Sequence, residues 1–200
     1  MATAEDDFNL IPDIKDAIEY IASHQIEIGI FGEDDSEMLM IARVNEFGAV
    51  IEPNKAEALT IPLIDEAIGR SPTEFNDLFI PEGTHVLARE RGEGIQPVYA
   101  LMKSVTIPER SFLRGGYDSN RSEFEEKGDQ LIQQALVLDI TPQASFDALG
   151  NYIVTTIQEY LTKISDPSNS PATTANKGSS NPLIDEGHLR DSITYKIRSR

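Results

Sequence analysis

Residues 181–197 read Asn-Pro-Leu-Ile-Asp-Glu-Gly-His-Leu-Arg-Asp-Ser-Ile-Thr-Tyr-Lys-Ile, and this segment is the most informative part of the sequence about the fold. In its second half Ile193, Tyr195 and Ile197 alternate with polar residues, which is the period of a half-buried β-strand. A strand formed here closes a sheet with a strand formed much earlier in the chain. Residues 25–31 are the predicted partner, because isoleucines alternate there in the same way.

Two helices are predicted around that first strand. Isoleucines at helical spacing follow Pro12, a residue that suits the first turn of a helix. After the strand, Ser36 is expected to cap a second helix that extends to about Glu46. Gly48 then supplies the C-terminal turn.

Two further helices are predicted in the second half of the chain. The third is expected from Glu109 onward, and residues 122–125 within it have the spacing of a capping box. Its apolar residues Phe124, Leu131, Ala135 and Leu138 share one face. The fourth begins at Thr141-Pro142. Its apolar stripe is expected to face the core and comprises Phe146, Leu149, Ile153, Ile157, Tyr160 and Ile164.

Residues 52–104 have a different character. Strands are predicted over residues 57–61, 84–90 and 98–107, separated by prolines and glycines, with a short helix over residues 75–79. This pattern indicates a β-rich insertion within a helical chain.

The predicted fold class is therefore α+β, with a small mixed or antiparallel sheet covered by three to four helices. Residues 1–51 and 105–200 form the predicted core, and residues 52–104 form the insertion, whose strands are expected to extend the same sheet. Residues 165–181 are rich in proline, serine and threonine and are predicted to form a flexible loop.

The charge of the chain restricts its partners. The formal net charge is −17, and residues 1–50 alone carry 12 acidic and 2 basic side chains. Nucleic-acid binding needs a positive surface for phosphate, so specific binding to DNA or RNA is not expected. No apolar run reaches the ~18 residues that a membrane span needs. The absence of cysteine excludes disulfides and cysteine-based zinc sites.

No motif in the sequence indicates catalysis, a cofactor or a metal. His24, His85 and His188 are widely separated and have no metal-ligand spacing. The acidic turn at residues 33–37 lacks the glycine and the spaced oxygen ligands of an EF-hand loop. No phosphate-binding loop or nucleophile elbow occurs.

Three motifs, taken in order, resemble a known family. They are Ile-Ala-Arg-Val-Asn-Glu-Phe-Gly at 41–48, Ile-Pro-Glu-Arg-Ser-Phe-Leu-Arg at 107–114, and the segment at 181–193. Together they resemble the virion-morphogenesis proteins of tailed bacteriophages, also described as neck or tail-completion proteins. The resemblance covers residues ~12–51 and ~105–200. Glu186 stands where the family usually has threonine or serine.

The resemblance implies a structural role without catalysis. Such a protein forms a homo-oligomeric ring in the virion neck that joins the DNA-filled head to the tail. Its neighbours would be the connector or head-completion protein and the tail-terminator protein. Genomic DNA would pass nearby without specific binding, and no membrane would be involved. Assembly would take place in the cytoplasm of the host bacterium. Three alternatives stay open: the tail-terminator layer itself, a phage-encoded hydrolase of particle maturation, and a binding module unrelated to phages.

Five residues of the second and third motifs are candidates for an oligomer or partner interface. Arg110 and Arg114 are expected at positions i and i+4 of one helix face, from which they could reach carboxylates of a neighbouring subunit. The alternative is that both pair within their own chain or stay solvated. Phe112 is expected to bury, and Asp185 and Arg190 are expected to hold the turn before the last strand together.

Two further hypotheses concern assembly. If residues 1–50 face a channel, their carboxylates would repel passing DNA and reduce sticking. The loop at residues 166–181 is the candidate for a segment that becomes ordered only on assembly.

Overall fold

The computed structural model describes residues 10–33, 35–167, 183 and 187–200. The chain divides into two compact units. The first comprises Met1–Met40, Ser111–Lys163 and Gly187–Arg200, and the second comprises Ile41–Arg110 and Ile164–Glu186. The predicted loop at residues 165–181 lies outside the described residues from position 168 onward.

Five helices and seven strands are formed by the described residues. The helices are α1 (Ile11–Ser23), α2 (Ser36–Phe47), α3 (Phe112–Leu136), α4 (Pro142–Lys163) and α5 (His188–Asp191). The strands are β1 (His24–Gly29), β2 (Ala49–Ile51), β3 (Leu59–Pro62), β4 (Val86–Arg91), β5 (Gly94–Met102), β6 (Val105–Ile107) and β7 (Thr194–Ser199). The α+β class predicted from the sequence is confirmed.

The first unit contains the predicted pairing of the early and late strands. Strands β1 and β7 are antiparallel, and their register places Ile26 opposite Ile197 and Ile28 opposite Tyr195. These apolar side chains share one face because successive residues of a strand point to opposite faces. The pairing is as the alternation predicted, although β1 begins at His24, directly after α1.

Helix α4 packs against both strands of this sheet, and α3 packs against α4. The ring of Tyr195 lies directly over Gly150 in the middle of α4, so close that a Cβ atom there would be 2.5 Å from Cδ2 of the ring. The Tyr195 hydroxyl donates to Oδ1 of Asp147 at 2.9 Å. Burial, followed by the Asp147 carboxylate, raises the pKa of Tyr195.

The core of the first unit follows the predicted helical stripes. Most of the apolar residues expected to face inward on α3 and α4 are buried. They are Phe124, Leu131 and Ala135 on α3 and Phe146, Ile153 and Ile157 on α4. Phe112, Leu161, Leu189 and Ile193 complete this core.

The prediction that the insertion strands extend a single sheet is wrong. The insertion strands do not extend the β1–β7 ladder; β3, β5 and β4 form a separate antiparallel sheet, and β2 pairs with β6 in another. Strand β5 pairs with its sequence neighbour β4 and also with β3, whereas β2 and β6 lie on either side of that whole sheet in sequence. The three-stranded sheet also has its own core, in which the Tyr99 ring meets Phe75 edge-on and its hydroxyl donates to the Arg70 carbonyl at 3.0 Å.

Three local predictions in these units were wrong. Ser36 lies inside α2, and the Oδ1 of Asp35 accepts the N–H of Met38 at 2.9 Å in its place. The capping-box sequence at residues 122–125 lies in the middle of α3, which begins after Ser111. Residues 75–79 form no helix, because Phe79 bridges to Ala88 beside β4.

The start of α4 was predicted correctly. The Oγ1 of Thr141 accepts the N–H of Ala144 at 3.1 Å, as an N-cap does. Pro142 is the first residue of the helix, where its missing N–H costs nothing.

We predict that Gly150→Ala destabilises the protein by about 1–3 kcal/mol, because the new methyl group displaces the Tyr195 ring. The matched control is Gly128→Ala, also in a helix interior, where the added Cβ meets only Leu149 Cδ2 at 3.5 Å. That control is expected to gain roughly 0.5–1 kcal/mol from helix propensity. Urea unfolding of both variants measures the two effects. Equal effects would show that Tyr195 does not constrain position 150.

Candidate interaction site

The first two family-like motifs, separated by about sixty residues in sequence, lie against each other within the second unit. The N–H of Arg110 donates to the carbonyl of Asn45 at 2.7 Å. Immediately beside this bond, Ala49 of β2 lies opposite Ile107 of β6. We call this region the motif junction; it comprises residues 41–49 and 107–110.

Gly48 allows the two segments of the motif junction to approach. Its φ is +69°, in the left-handed region that favours glycine. A Cβ atom at this position would lie 2.9 Å from the Glu109 nitrogen and 3.1 Å from the Ile107 carbonyl oxygen. Both neighbours are backbone atoms, which cannot move aside without breaking the β2–β6 pairing. The glycine is therefore required for its conformation and for its small size.

Arg110 is buried in the motif junction, with 5% of its surface exposed. Its Nε donates to the carbonyl of Pro167 at 2.8 Å. Burial lowers the pKa of its guanidinium, because the charged form loses solvation.

The predicted i, i+4 relation between Arg110 and Arg114 is wrong. Helix α3 begins at Phe112, with Ser111 as its N-cap, so Arg110 precedes the helix. The Oγ of Ser111 accepts the N–H of Gly115 at 3.3 Å. This cap stops the helix from extending backward to Arg110.

Of the other interface candidates, Phe112, Arg114 and Arg190 belong to the first unit. Phe112 has 0% of its surface exposed and belongs to the core of the first unit. Arg114 lies on the exposed side of α3. Arg190 lies in α5, where its Nε donates to Oδ1 of Asp191 at 2.7 Å. Asp185 lies outside the described residues.

Glu46 is a buried acidic residue that the sequence reasoning did not single out. It is 3% exposed and lies one helical turn after Ala42, which is also buried. The signal in the sequence was this i, i+4 spacing, which places both side chains on the inward face of α2. Each of the two segments of the motif junction therefore contributes one buried charged residue: Glu46 in residues 41–49 and Arg110 in residues 107–110.

The turn before β7 is held by α4. The Nε2 of Gln158 donates to the carbonyls of Arg190 at 3.1 Å and Ile193 at 3.3 Å. Gly187 begins this turn with φ +85°. The described part of the third motif thus positions β7 on the helix that it packs against.

The outward face of the β1–β7 sheet carries a charged cluster. The Nη2 of Arg198 donates to Oε1 of Glu33 at 2.8 Å, and Lys196 also pairs with Glu33. The Lys196 ammonium lies 4.5 Å from the centre of the Phe31 ring. Hydrogen bonds from Lys196, its charge and the hydrogen bond from Arg198 hold the pKa of Glu33 below its usual value.

The histidines do not form a common site. His24 begins β1, after the last residue of α1, and its ring stacks on Tyr20 with centroids 3.9 Å apart. His85 and His188 are exposed on different units. Among residues 10–33, 35–167, 183 and 187–200, no three histidine or acidic side chains converge as ligands for a metal ion.

A surface pocket of about 400 Å³ lies along α3 and α4. Its lining includes Glu123, Tyr152, Glu159 and Lys163. The Tyr152 hydroxyl donates to Oε2 of Glu123 at 3.4 Å. The described lining has no histidine or serine, so it contains no Ser-His pair.

Comparisons with protein-family models, curated proteins and solved structures find no match to this chain. In the part of the chain that the structure describes, every helix is too short or too polar to cross a membrane.

We predict that Gly48→Ala is more destabilising than Gly92→Ala by at least about 1 kcal/mol, because a backbone clash adds to conformational strain. Gly92 is the matched control: its φ is +63° and nothing lies within 4 Å of an added Cβ. This control is expected to cost about 1–2 kcal/mol. Chemical unfolding of both variants makes the comparison, and equal losses would contradict the close approach at Gly48.

We predict that Glu33→Gln lowers the thermal unfolding midpoint at pH 7 and that the difference from wild type shrinks as the pH falls. The pKa of Glu33 is lower in the folded state than the usual 4.5, so its stabilisation is present above that pH. It is lost as the pH falls through the lower folded-state value. Thermal unfolding from pH 7 to pH 3 measures this, with Glu93→Gln as a control in the other unit. A difference that is constant with pH would contradict the assignment.

Proposed function

We propose that this protein is a structural component of a tailed-phage virion and forms part of the neck ring that joins the DNA-filled head to the tail. The observation that supports the proposal best is the motif junction. Two motifs that resemble the neck and tail-completion proteins, far apart in sequence, contact each other in one packed region.

The residues at the motif junction fix the geometry of the backbone there. Gly48 permits a close backbone approach, and Arg110 donates to a carbonyl from its buried position. None of these contacts presents a reactive group to a substrate. A protein that acts by its shape and its contacts needs such fixed geometry, whereas a hydrolase needs a nucleophile beside a base.

The charge of the chain also suits a position beside DNA in transit. A net charge of −17 repels phosphate, which would reduce sticking of the genome during packaging or ejection. In the described part of residues 1–50, acidic side chains such as Asp13, Asp16 and Glu19 are exposed. We propose that this acidic segment faces the channel.

The partners follow from the proposed position. Other copies of the chain would form the ring, and the connector or head-completion protein and the tail-terminator protein would lie on either side. Specific DNA binding is not part of this role. The protein would be made in the host cytoplasm and retained in the finished virion.

Deletion of the gene from the phage genome tests the proposal, with electron microscopy of the lysate as the readout. We predict DNA-filled heads and finished tails that remain separate, and joined particles when the gene is supplied in trans. Tails of unregulated length would place the protein in the terminator layer. Normal, infectious particles would contradict a role in joining.

A catalytic role in maturation predicts a different result. Heads would then accumulate with unprocessed structural proteins, visible as changed band sizes on a gel. Unchanged band sizes together with unjoined particles are the result that a structural ring predicts.

A further inference from the structure

The sheet of the first unit has two strands, so β1 and β7 each pair on one side only. The Arg200 N–H donates to the Ser23 carbonyl at 2.8 Å, one position beyond the ladder. In an antiparallel pair, the residues that bond across the ladder alternate with residues whose N–H and C=O groups point outward. The outward-pointing residues are therefore His24, Ile26 and Ile28 on β1, which we call the β1 edge, and Tyr195, Ile197 and Ser199 on β7, which we call the β7 edge.

Both edges are open within the part of the chain that the structure describes. On the β1 edge, no described residue bonds to the outward backbone groups of Ile26 and Ile28. The same holds on the β7 edge for the outward groups of Tyr195 and Ile197. A row of such N–H and C=O groups is a template for pairing with a further strand.

The edge residues also carry apolar side chains that α4 covers only in part. The Tyr195 ring lies over Gly150 of α4. Ile197 lies two residues along the strand on the same face, and Ile26 and Ile28 lie opposite these two residues. The three isoleucines and Tyr195 are only half-buried although they face a helix. A further strand beside either edge would cover the flank of this face and bury more apolar surface.

The two edges differ from those of the insertion sheet, which carry features that discourage pairing with other chains. Its strand β3 contains Pro62, which has no N–H to donate, and Phe79 bridges to the outer side of β4. Strands β1 and β7 contain no proline, and the six residue pairs of their ladder keep one register without a bulge. The charges of Lys196 and Arg198 on β7 are engaged by Glu33.

Three pairings of these edges are possible between two copies of the chain. A β7 edge against a β7 edge sets Lys196 and Arg198 of one copy against the same two residues of the other, and like charges opposite each other are destabilising. A β1 edge against a β1 edge closes a dimer and leaves both β7 edges open, so it cannot build a ring. A β7 edge against a β1 edge alternates a basic strand with one that carries Glu27, as the ladder within the chain does.

We propose that β7 of one copy pairs with β1 of the next copy, so that the sheet continues from subunit to subunit. A copy placed beside the first in the same orientation brings its β1 antiparallel to β7, with both α4 helices on one face of the sheet. The contact is heterologous, so successive copies add head to tail. This inference rests on the proposed function, because it names the contact between neighbouring subunits of the proposed ring.

The register that repeats the ladder within the chain pairs all three residues of each edge. Ile197 then lies opposite Ile26 of the next copy, and both exchange backbone hydrogen bonds across the contact. On the outer face of the sheet, Lys196 lies opposite Glu27 of the next copy. Apolar side chains therefore meet on the face that α4 covers, and opposite charges meet on the other face.

Disulfide cross-linking tests the pairing directly, because the chain has no cysteine of its own. Gln25 and Arg198 are exposed, and in the proposed register they lie opposite each other across the contact, in a pair that is not hydrogen-bonded and whose side chains are close. Purified Gln25→Cys protein is mixed with Arg198→Cys protein and oxidised, and each is also oxidised alone. We predict a cross-linked dimer in the mixture and none in either protein alone. The control mixture combines Gln25→Cys with Ser122→Cys, an exposed position in the middle of α3, and is expected to give no cross-link.

Analytical ultracentrifugation of the unmodified protein distinguishes head-to-tail addition from a closed dimer. Head-to-tail pairing predicts assemblies larger than a dimer as the protein concentration rises. Self-association that stops at the dimer would overturn the head-to-tail arrangement.

Removal of one outward N–H tests whether the contact is a strand pairing. Ser199→Pro removes an N–H of the β7 edge, whereas the matched control Ser199→Ala keeps it. Ser199 is exposed and its N–H points away from β1, so both variants are expected to unfold at similar temperatures. Self-association of Ser199→Pro is expected to be roughly 2- to 10-fold weaker than that of Ser199→Ala, as loss of one hydrogen bond predicts. Equal self-association of the two variants would overturn the pairing through this edge.

The outcomes separate this inference from the proposed function. Cross-linking of Gln25→Cys with itself would show pairing of two β1 edges and overturn the proposed contact, and so would a protein that stays monomeric at every concentration. The deletion experiment on phage particles decides the role in joining by a different readout. Unjoined particles together with a failed cross-link would keep the ring function and reject the pairing of β7 with β1.

Discussion

The antiparallel pairing of β1 with β7 is the interaction on which the first unit depends. It joins residues about 170 positions apart, so its formation carries a loop-closure cost that the packing of the strand pair on α4 helps to offset. The Tyr195 ring lies over Gly150, and Gln158 donates to the turn before β7, so the strand and α4 hold each other in place. The described part of the third motif therefore mainly positions β7 against α4.

The motif junction has the corresponding role in the second unit. Residues 41–49 and 107–110 meet through a backbone hydrogen bond and a short strand pair, and the insertion sheet lies between them in sequence. The ends of the insertion are thus held together, which explains how a β-rich segment with its own core can interrupt a helical chain. Motifs that fix local geometry in this way suit the proposed role in a ring.

Periodicity predicted the parts of this structure that depend on local pattern. The alternation around Ile193 and Tyr195 identified β7, and Thr141 correctly marked the start of α4. The burial of Arg110 could not be predicted from local pattern, because a side-chain partner such as the Pro167 carbonyl is remote in sequence. The capping-box pattern at Ser122 does not mark a helix start, because α3 and its apolar stripe continue through these residues. Separate sheets could not be predicted, since alternation identifies strands and leaves their partners open.

Strand β7 holds the first unit together, and the insertion sheet has a core of its own. This arrangement is best tested by hydrogen–deuterium exchange of the Tyr195→Ala variant. We expect faster exchange of the β1, β7 and α4 amides, with β4 and β5 exchanging as in the wild type. Unchanged protection of β1 and α4, or equal loss of protection in β4 and β5, would contradict it.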